Sequence, residues 1–481
     1  MSSKIKNICC IGAGYVGGPT MSVIADNCPE IEVNIVDINQ ERIDLWNSPN
    51  LNDLPIYEPG LDEIIKRCRG INLIFSTQIE EKISTADMIF ISVNTPTKTK
   101  GVGAGQASDL KWVEASARQV AKFARGHTIV VEKSTLPVKT AEVIKDILNK
   151  SQSDKNSDSL VHFDVLSNPE FLSEGTAIQD LQKPDRILIG GENEKAIKLL
   201  SNIYSRWVPK NKILHTNIWS SELAKLTSNA FLAQRISSIN SIAALCEATG
   251  ADIREVSRAI GLDSRIGPKF LNSSPGFGGS CFKKDILNLV YLSKYYGLKD
   301  VADFWESVVK LNNWHQHRIS KLIIKKLFGT ISCKKISILG FAFKSNTNDT
   351  RESAAIRICK DLLEEGAILC IHDPKVDPIQ IEKDLGISPK KPKDIYKNDN
   401  ESSWFSSRNY EEVFENSDAA IFLTEWEEYK NINWRVISQK MRKPAWIFDA
   451  RSILKPANII DEGLYLWRIG DGTENDKEYK Y

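Results

Sequence analysis

Residues Lys4–Asp37 read KIKNICCIGAGYVGGPTMSVIADNCPEIEVNIVD, and the order of residue types in that stretch decides the fold. Lys4 to Ile11 is a short, mostly apolar run of strand length, Gly12 to Gly17 is a glycine turn, Pro19 to Asn27 suits a helix, and Ile31 to Asp37 is a second strand-like run. Strand, turn, helix and strand in that order make one βαβ unit, whose strands lie parallel. Further strands are predicted at Leu73–Ser76, Met88–Val93, Ile129–Glu132 and Val165–Ser167, with helical stretches such as Leu110–Ala124 between them. This alternation predicts an α/β fold built on a doubly wound parallel sheet.

Between Trp219 and Gly250 the chain has neither Gly nor Pro, and its apolar residues recur at helical spacing. A long helix is expected there, inside a connector that reaches Gly329. The α/β pattern then restarts with a strand at Lys335–Gly340, a helix at Ser353–Glu365 and a strand at Ile368–His372 that ends in Asp373. ADMIFISVNTPT at Ala86–Thr97 and SDAAIFLTEWEE at Ser417–Glu428 share a small residue before Asp, an apolar strand and a polar loop, the mark of an internal repeat. The expected organisation is two Rossmann-like domains, residues 1–217 and 331–470, joined through a central helical region at 218–330. Ser151–Ser159 and Lys393–Ser407 read as polar loops, and Asp471–Tyr481 as a charged, mobile tail.

Composition narrows the function classes. Lys+Arg 63 against Asp+Glu 62 leaves a formal charge of +1, so no broad field is available to hold nucleic acid or an anionic membrane. Any phosphate must be held by a few placed donors. The nine cysteines follow neither zinc-ligand spacing nor a short disulfide framework, so reduced thiols and no metal site are expected. No signal-peptide core follows Met1, and the apolar stretch Phe231–Cys246 is interrupted by Gln234, Arg235 and Asn240, which argues against a membrane span and makes the cytoplasm the expected location.

Gly12, Gly14 and Gly17 fit G-x-G-x-x-G after a strand and at the start of a helix, with Asp37 twenty residues beyond Gly17. In such a turn Gly12 makes the bend, Gly14 admits a pyrophosphate, Gly17 packs the helix, and the helix N-terminus faces the anion. Asp37 suits a ribose 2′-hydroxyl and repels a 2′-phosphate, which favours NAD over NADP; nearby Arg42 leaves NADP open. Ligands of open α/β sheets lie beyond the carboxyl ends of strands, so the loops Ser92–Thr97 and Glu132–Pro137 are expected to complete the site. The NAD contacts expected are Tyr15, Val16, Val93, Asn94, Thr95, Ser134 and Thr135 besides Gly12, Gly14, Gly17, Asp37 and Arg42.

Gly276–Asp285 reads GFGGSCFKKD, three glycines in four residues ahead of Cys281 and a segment able to start a helix. A thiol near a helix N-terminus beside lysines tends toward the thiolate, while the Asp285 carboxylate opposes it. Lys225 and Asn229 stand four apart and share a helix face. Glu170 and Glu174, in the segment NPEFLSEG, end a strand and suit either a helix cap or a base.

Eight segments together resemble the animal-type enzymes of the UDP-glucose/GDP-mannose dehydrogenase family: ICCIGAGYVGGPT, PIYEPGL, FISVNTPTKT, VLSNPEFLSEGTA, SSELAKLTSNAFLAQRISSINSIAALCEATGAD, GFGGSCFKKD, ILGFAFKSNTNDTRES and IFDAR. The resemblance runs from about Lys4 to Ile469. It implies the four-electron oxidation of UDP-glucose by two NAD, with water, to UDP-glucuronate. By resemblance, Cys281 adds to the C6 aldehyde, the thiohemiacetal loses a second hydride, and water cleaves the thioester. Glu170 is then the general base, Thr135 and Asp285 position water or protons, and Lys225 and Asn229 stabilise the oxyanion. The UDP-sugar contacts implied are Glu170, Phe171, Leu172, Ser173, Glu174, Lys225, Asn229, Phe270, Leu271, Phe277, Gly278, Phe282, Phe343, Lys344 and Arg451. Arg265 is implied to reach a neighbouring subunit's sugar, and Glu174 and Arg351 to contact NAD. A homo-oligomer follows by the same resemblance, dimers along the central helices joined as a hexamer. Asn272 stands where animal relatives carry lysine, Asn52 and Asp53 lengthen a loop, and Thr140 replaces a small residue. The alternatives are a dehydrogenase of GDP-mannose or UDP-N-acetylmannosamine, a two-electron hydroxyacid dehydrogenase, and an inactive nucleotide-binding regulator.

Overall fold

The architecture comes from a computed structural model, which describes residues 4–151, 161–390 and 402–473. Two compact units emerge, Met1–Ser228 with Leu287–Lys299, and Asn229–Ile286 with Asp300–Tyr481. The long helix Ile218–Thr249 and the helix Phe282–Tyr295 each contribute to both.

The first unit is built on eight strands: β1 Asn7–Ile11, β2 Glu32–Val36, β3 Leu73–Ser76, β4 Met88–Ile91, β5 His127–Glu132, β6 His162–Ser167, β7 Ile187–Gly190 and β8 Ile213–Thr216. They lie in the order β3-β2-β1-β4-β5-β6-β7-β8. Central strands of such a sheet are covered on both faces, which is why β1 is apolar without alternation. Ile8 and Cys10 enter one core with Val33 and Ile35, while Cys9 and Ile11 enter the opposite core with Ile89 and Ile91.

One departure from the expected parallel sheet sits at β6 and β7, which pair antiparallel through Ser167 and Gly190. An antiparallel partner starts at the edge where its neighbour ends, so no crossover is needed. The segment after Ser167, which carries Glu170 to Glu174, therefore stays at the strand-end edge of the sheet.

The second unit holds β9 Lys335–Leu339, β10 Ile368–His372, β11 Ser403–Ser406, β12 Ala419–Phe422, β13 Trp446–Asp449 and β14 Tyr465–Arg468 in the order β11-β10-β9-β12-β13-β14, all parallel. This repeats the order of the first six strands of the first sheet. Its core gathers Phe341, Trp404, Phe414, Phe422 and Phe448, all fully buried.

The internal repeat has a physical basis. Asp87, just ahead of β4, accepts hydrogen bonds from the Lys6 and Asn7 amides at 2.8 and 3.0 Å, and Asp418, just ahead of β12, accepts one from the Lys335 amide at 2.9 Å. Each carboxylate thus pins the start of the neighbouring central strand. The strand ends repeat too: Asp37 accepts from the Ala13 amide at 2.9 Å, and Asp373 from the Phe341 and Ala342 amides at 2.7 and 2.9 Å.

Two readings need correction. Ser403–Ser406, expected within a polar loop, is the edge strand β11, where Trp404 is buried and donates to the Ile387 carbonyl at 2.7 Å. Asp471, expected to open a mobile tail, is buried and paired with Arg254 at 2.9 Å. Residues 152–159, 393–401 and 474–481 of the expected loops and tail lie outside the described residues. Among the described residues, no helix is long and apolar enough to cross a membrane.

Candidate active site

The glycine turn of the first unit is shaped for a ligand. Gly12 has φ +110°, donates to the Val36 carbonyl at 2.8 Å, and lies so close to the Ser92 carbonyl that any side chain would collide with it. A side chain at Gly17 would strike the Gly12 carbonyl, whereas one at Gly14 would meet nothing within 4 Å. The packing thus excludes side chains at Gly12 and Gly17 and leaves room above Gly14, as a pyrophosphate approaching the backbone requires. Tyr15 and Val16 are half-buried and lead into the helix Gly17–Asn27, whose first turn carries no acidic residue to compete with an anion. Asp37 is nearly buried; Arg42 reaches its carboxylate at 3.1 Å, and the Asn39 amide donates to it at 3.0 Å. This turn fits a dinucleotide.

The two expected loops are tied together. Ser134 donates to the Val93 carbonyl at 2.7 Å, and Thr95 donates to the Thr135 carbonyl at 3.0 Å. Asn94 is exposed, and Thr135 is half-buried. The hydroxyls of Ser134 and Thr95 thus set loop geometry.

Glu170 and Lys225 are both buried and meet at 3.2 Å. Glu170 also accepts from the Leu172 amide at 2.9 Å, which bends the chain so that the Phe171 ring lies under the Arg186 guanidinium at 3.8 Å, with Lys225 5.5 Å from the same ring. Burying an ion pair is costly unless both partners are well placed. Its survival at a strand-end loop suits a catalytic base beside a cation. Ser173 is exposed, and Glu174 is half-buried on the same loop. Glu58, from the PIYEPGL segment, holds the loop's far end by accepting from the Gly175 and Ala177 amides at 2.7 and 3.1 Å.

In the second unit Cys281 directly precedes the helix Phe282–Tyr295 and accepts that helix's first backbone hydrogen bond, from Asp285 at 2.8 Å. Asp285 is fully buried; Asn229 donates to its carboxylate at 2.6 Å, and Lys284 pairs with it at 2.7 Å. Lys284 therefore balances the buried charge of Asp285. Burial pushes most of the other thiols up: Cys9 and Cys370 to about 12, Cys28 and Cys68 to about 11, Cys10 and Cys359 well above the thiol range, and Cys246 in the same direction, while Cys333 is exposed. Cys281 is half-exposed on its glycine loop.

That loop is clamped. Asn312, on the helix Lys299–Lys326, accepts from the Phe277 amide at 2.9 Å and donates to the Phe277 carbonyl at 3.1 Å. A side chain at Gly276, which has φ +135°, would collide with Asn312 Oδ1, and His315 Nε2 lies 3.0 Å from the Ser274 carbonyl. Burial pushes His315 down to about 3, so the ring is neutral and donates there. Gly278 is packed so tightly on the Glu352 carbonyl and Phe343 that only glycine fits, and the Gly279 amide donates to the Arg351 carbonyl at 2.8 Å.

The remaining predicted residues are spread over the second unit. Arg451 is fixed by donating to the Leu423 carbonyl at 2.8 Å and the Phe343 carbonyl at 2.9 Å, with Glu425 at 3.1 Å. Lys344 lies beside the Phe343 ring. Arg351 is held by both oxygens of Asp349 at 2.7 and 2.8 Å. Phe277 and Phe282 meet edge to face, and Leu271 is buried while Phe270, at φ +61°, is 41% exposed. The Arg265 side chain is 87% exposed and pairs with Asp263 at 2.6 Å.

Sequence reasoning overlooked Lys133, Asn168, Tyr204, Asn312 and His315. Lys133 carried a signal, a lysine directly after the last residue of β5 at the edge where ligands of such sheets bind. Asn312 and His315 carried none, because their partners lie dozens of residues away.

Residues 6–208 match the NAD binding domain of the UDP-glucose/GDP-mannose dehydrogenase family, residues 219–314 its central domain, and residues 337–456 its UDP binding domain. The chain is similar to the UDP-glucose 6-dehydrogenase of Drosophila melanogaster, 54% identical over 472 residues and 96% of each chain. It is also similar to that of Bos taurus, 55% identical over 459 residues, 94% of this chain and 90% of that one. Among solved structures, a UDP-glucose dehydrogenase from the hyperthermophilic archaeon Pyrobaculum islandicum superposes with a TM-score of 0.81 at 28% identity over 98% of each chain.

Proposed function

The chain belongs to the UDP-glucose/GDP-mannose dehydrogenase family, and from that premise we propose that it oxidises UDP-glucose to UDP-glucuronate, consuming two NAD and one water and releasing three protons with two NADH. The observation that carries this reading is Cys281, a half-exposed thiol at a helix N-terminus on a clamped glycine loop, with its neighbouring carboxylate already paired to Lys284. A dehydrogenase that stops at the aldehyde has no use for such a thiol.

NAD, held at the Gly12–Gly17 turn, supplies the hydride acceptor. Glu170 and Lys225 act on the C6 oxygen: the carboxylate, through Lys225 or a water, takes the hydroxyl proton as the C6 hydride departs, and Lys225 and Asn229 then stand by the carbonyl oxygen as donors. The Cys281 sulfur adds to the aldehyde carbon, forming a C–S bond while the oxygen takes a proton. Loss of that proton and of the second C6 hydride leaves a thioester. Water, deprotonated toward Glu170 and steadied near Thr135 and Asp285, attacks the thioester carbon. The C–S bond breaks, and the thiolate is restored. Each well-placed oxyanion donor contributes about 3–4 kcal/mol in comparable sites.

Specificity for the nucleotide rests on Arg451 and Lys344, fixed cations that a diphosphate needs and that the overall charge of +1 does not supply. The 54% identity with an enzyme named for UDP-glucose favours that sugar over GDP-mannose or UDP-N-acetylmannosamine. The test is Cys281→Ser. The variant is expected to bind NAD and UDP-glucose as the parent does while forming no UDP-glucuronate; turnover at the parent rate contradicts the covalent route.

A further inference from the structure

Lys133 is a buried ammonium that the reaction scheme above leaves without a task. It is 2% exposed and directly follows β5. Its Nζ donates to Asn168 Oδ1 at 3.1 Å and to the Tyr204 hydroxyl at 3.4 Å, both neutral groups, and the same Asn168 oxygen accepts from the Tyr204 hydroxyl at 2.6 Å. The Asn168 amide nitrogen donates onward to the Leu188 carbonyl of β7 at 2.8 Å. Lys133 therefore joins the loop of Ser134 and Thr135 to Asn168, two residues ahead of Glu170.

A fold needs no charge at such a point. An ammonium taken out of water among neutral acceptors is destabilising unless an anion lies near. The groups that bear on Lys133 are Glu170 from the loop after β6, Lys225 from the long helix, Cys10 from β1 and Tyr204 from the helix Glu194–Tyr204. Burial keeps the Cys10 thiol and the Tyr204 phenol protonated, so Glu170 is the anion among them.

Building on the proposed role of Glu170, we propose that Lys133 is a positioning residue for the reaction: it fixes the Glu170 loop against the Thr135 loop and supplies a second positive charge beside Lys225 for the Glu170 carboxylate. Burial pushes Lys133 down and the Glu170 charge opposes the fall, leaving it at about 8, so the ammonium persists at neutral pH.

The test is the pH dependence of kcat with UDP-glucose and NAD for the full chain and for Lys133→Gln and Lys133→Arg. Removing a nearby cation makes a carboxylate easier to protonate. Lys133→Gln is expected to lower kcat about tenfold at pH 7, to leave KM for UDP-glucose within about twofold, and to move the acid limb up by about one pH unit. Lys133→Arg, which keeps the charge, is expected to return the limb to its original position. If glutamine disturbs folding, as read by NAD binding, Lys133→Met carries the same prediction. An acid limb unmoved in the neutral variants, or moved as far by arginine, overturns the proposal. A parent chain that forms no NADH from UDP-glucose would instead overturn the reading of function on which it rests.

Discussion

Glu132 and Glu222 are two carboxyl groups closed into the first unit where the loop of Thr135 begins. Glu222 is committed to structure: it accepts from the Lys139 and Ala141 amides at 2.7 and 2.9 Å, capping the helix Thr140–Lys150. Glu132 is 1% exposed, and burial first, then the charge of Glu222, raise it well above the ordinary carboxylate range; burial raises Glu222 as well. An acid whose folded pKa is raised favours the fold below the ordinary value near about 4.3 and loses that contribution as pH rises through the raised value. Glu132→Gln, which keeps a donor toward Glu222 and cannot ionise, is therefore expected to match the parent in Tm at pH 5 and to exceed it at pH 8 by about 1 kcal/mol, roughly 2–4 °C. A difference that does not change with pH contradicts this. At the scale of single residues the sequence was read unevenly. Cys281, Lys225 and Glu170 stood out as candidates because glycine context, helical spacing and a strand end are local features. The pairing of Glu132 with Glu222, and of Asn312 with Phe277, was not, because each joins residues 90 and 35 positions apart.

The C-terminal strap shows the same divide for an element. Asp471 to Thr473 look like the start of a solvated tail by composition. In the second unit the Gly470 amide donates to Glu247 at 2.8 Å, the Gly472 amide to the Ala251 carbonyl at 2.8 Å, and Asp471 lies between Arg254 and Arg468. Burial alone would raise the Asp471 carboxyl, but hydrogen bonds from Thr473, Arg468 and Arg254 outweigh it and hold the group well below the usual carboxylate range. A depressed pKa contributes stability that is complete above the unfolded value, near about 3.9, and fades as pH falls toward the folded one. Asp471→Asn is expected to cost about 3 kcal/mol at pH 7, lowering Tm by roughly 6–12 °C, with a deficit that shrinks below about pH 4. Calorimetry showing no loss at pH 7 contradicts the strap's role. Elements marked by an unbroken apolar run, β1 and β4, or by a long stretch free of Gly and Pro, the long helix, were legible to within a few residues. β11 was not, because a short edge strand beside a polar stretch carries little pattern.

For the whole molecule, the repeated βαβ order was enough to read two Rossmann-like sheets, since local alternation and the right-handed crossover leave few topologies. The antiparallel β7 was not legible, because nothing in a four-residue apolar strand records its direction. The residues that the proposed reaction calls on are divided along the chain, with the dinucleotide turn, Glu170 and Lys225 in one unit and Cys281, Asn229, Asp285 and Arg451 in the other. The central claim is that the thiol lets one sugar lose two hydrides. Counting NADH formed for each UDP-glucose consumed tests it most directly: two NADH with UDP-glucuronate as product is the predicted result, and one NADH with the C6 aldehyde released contradicts it.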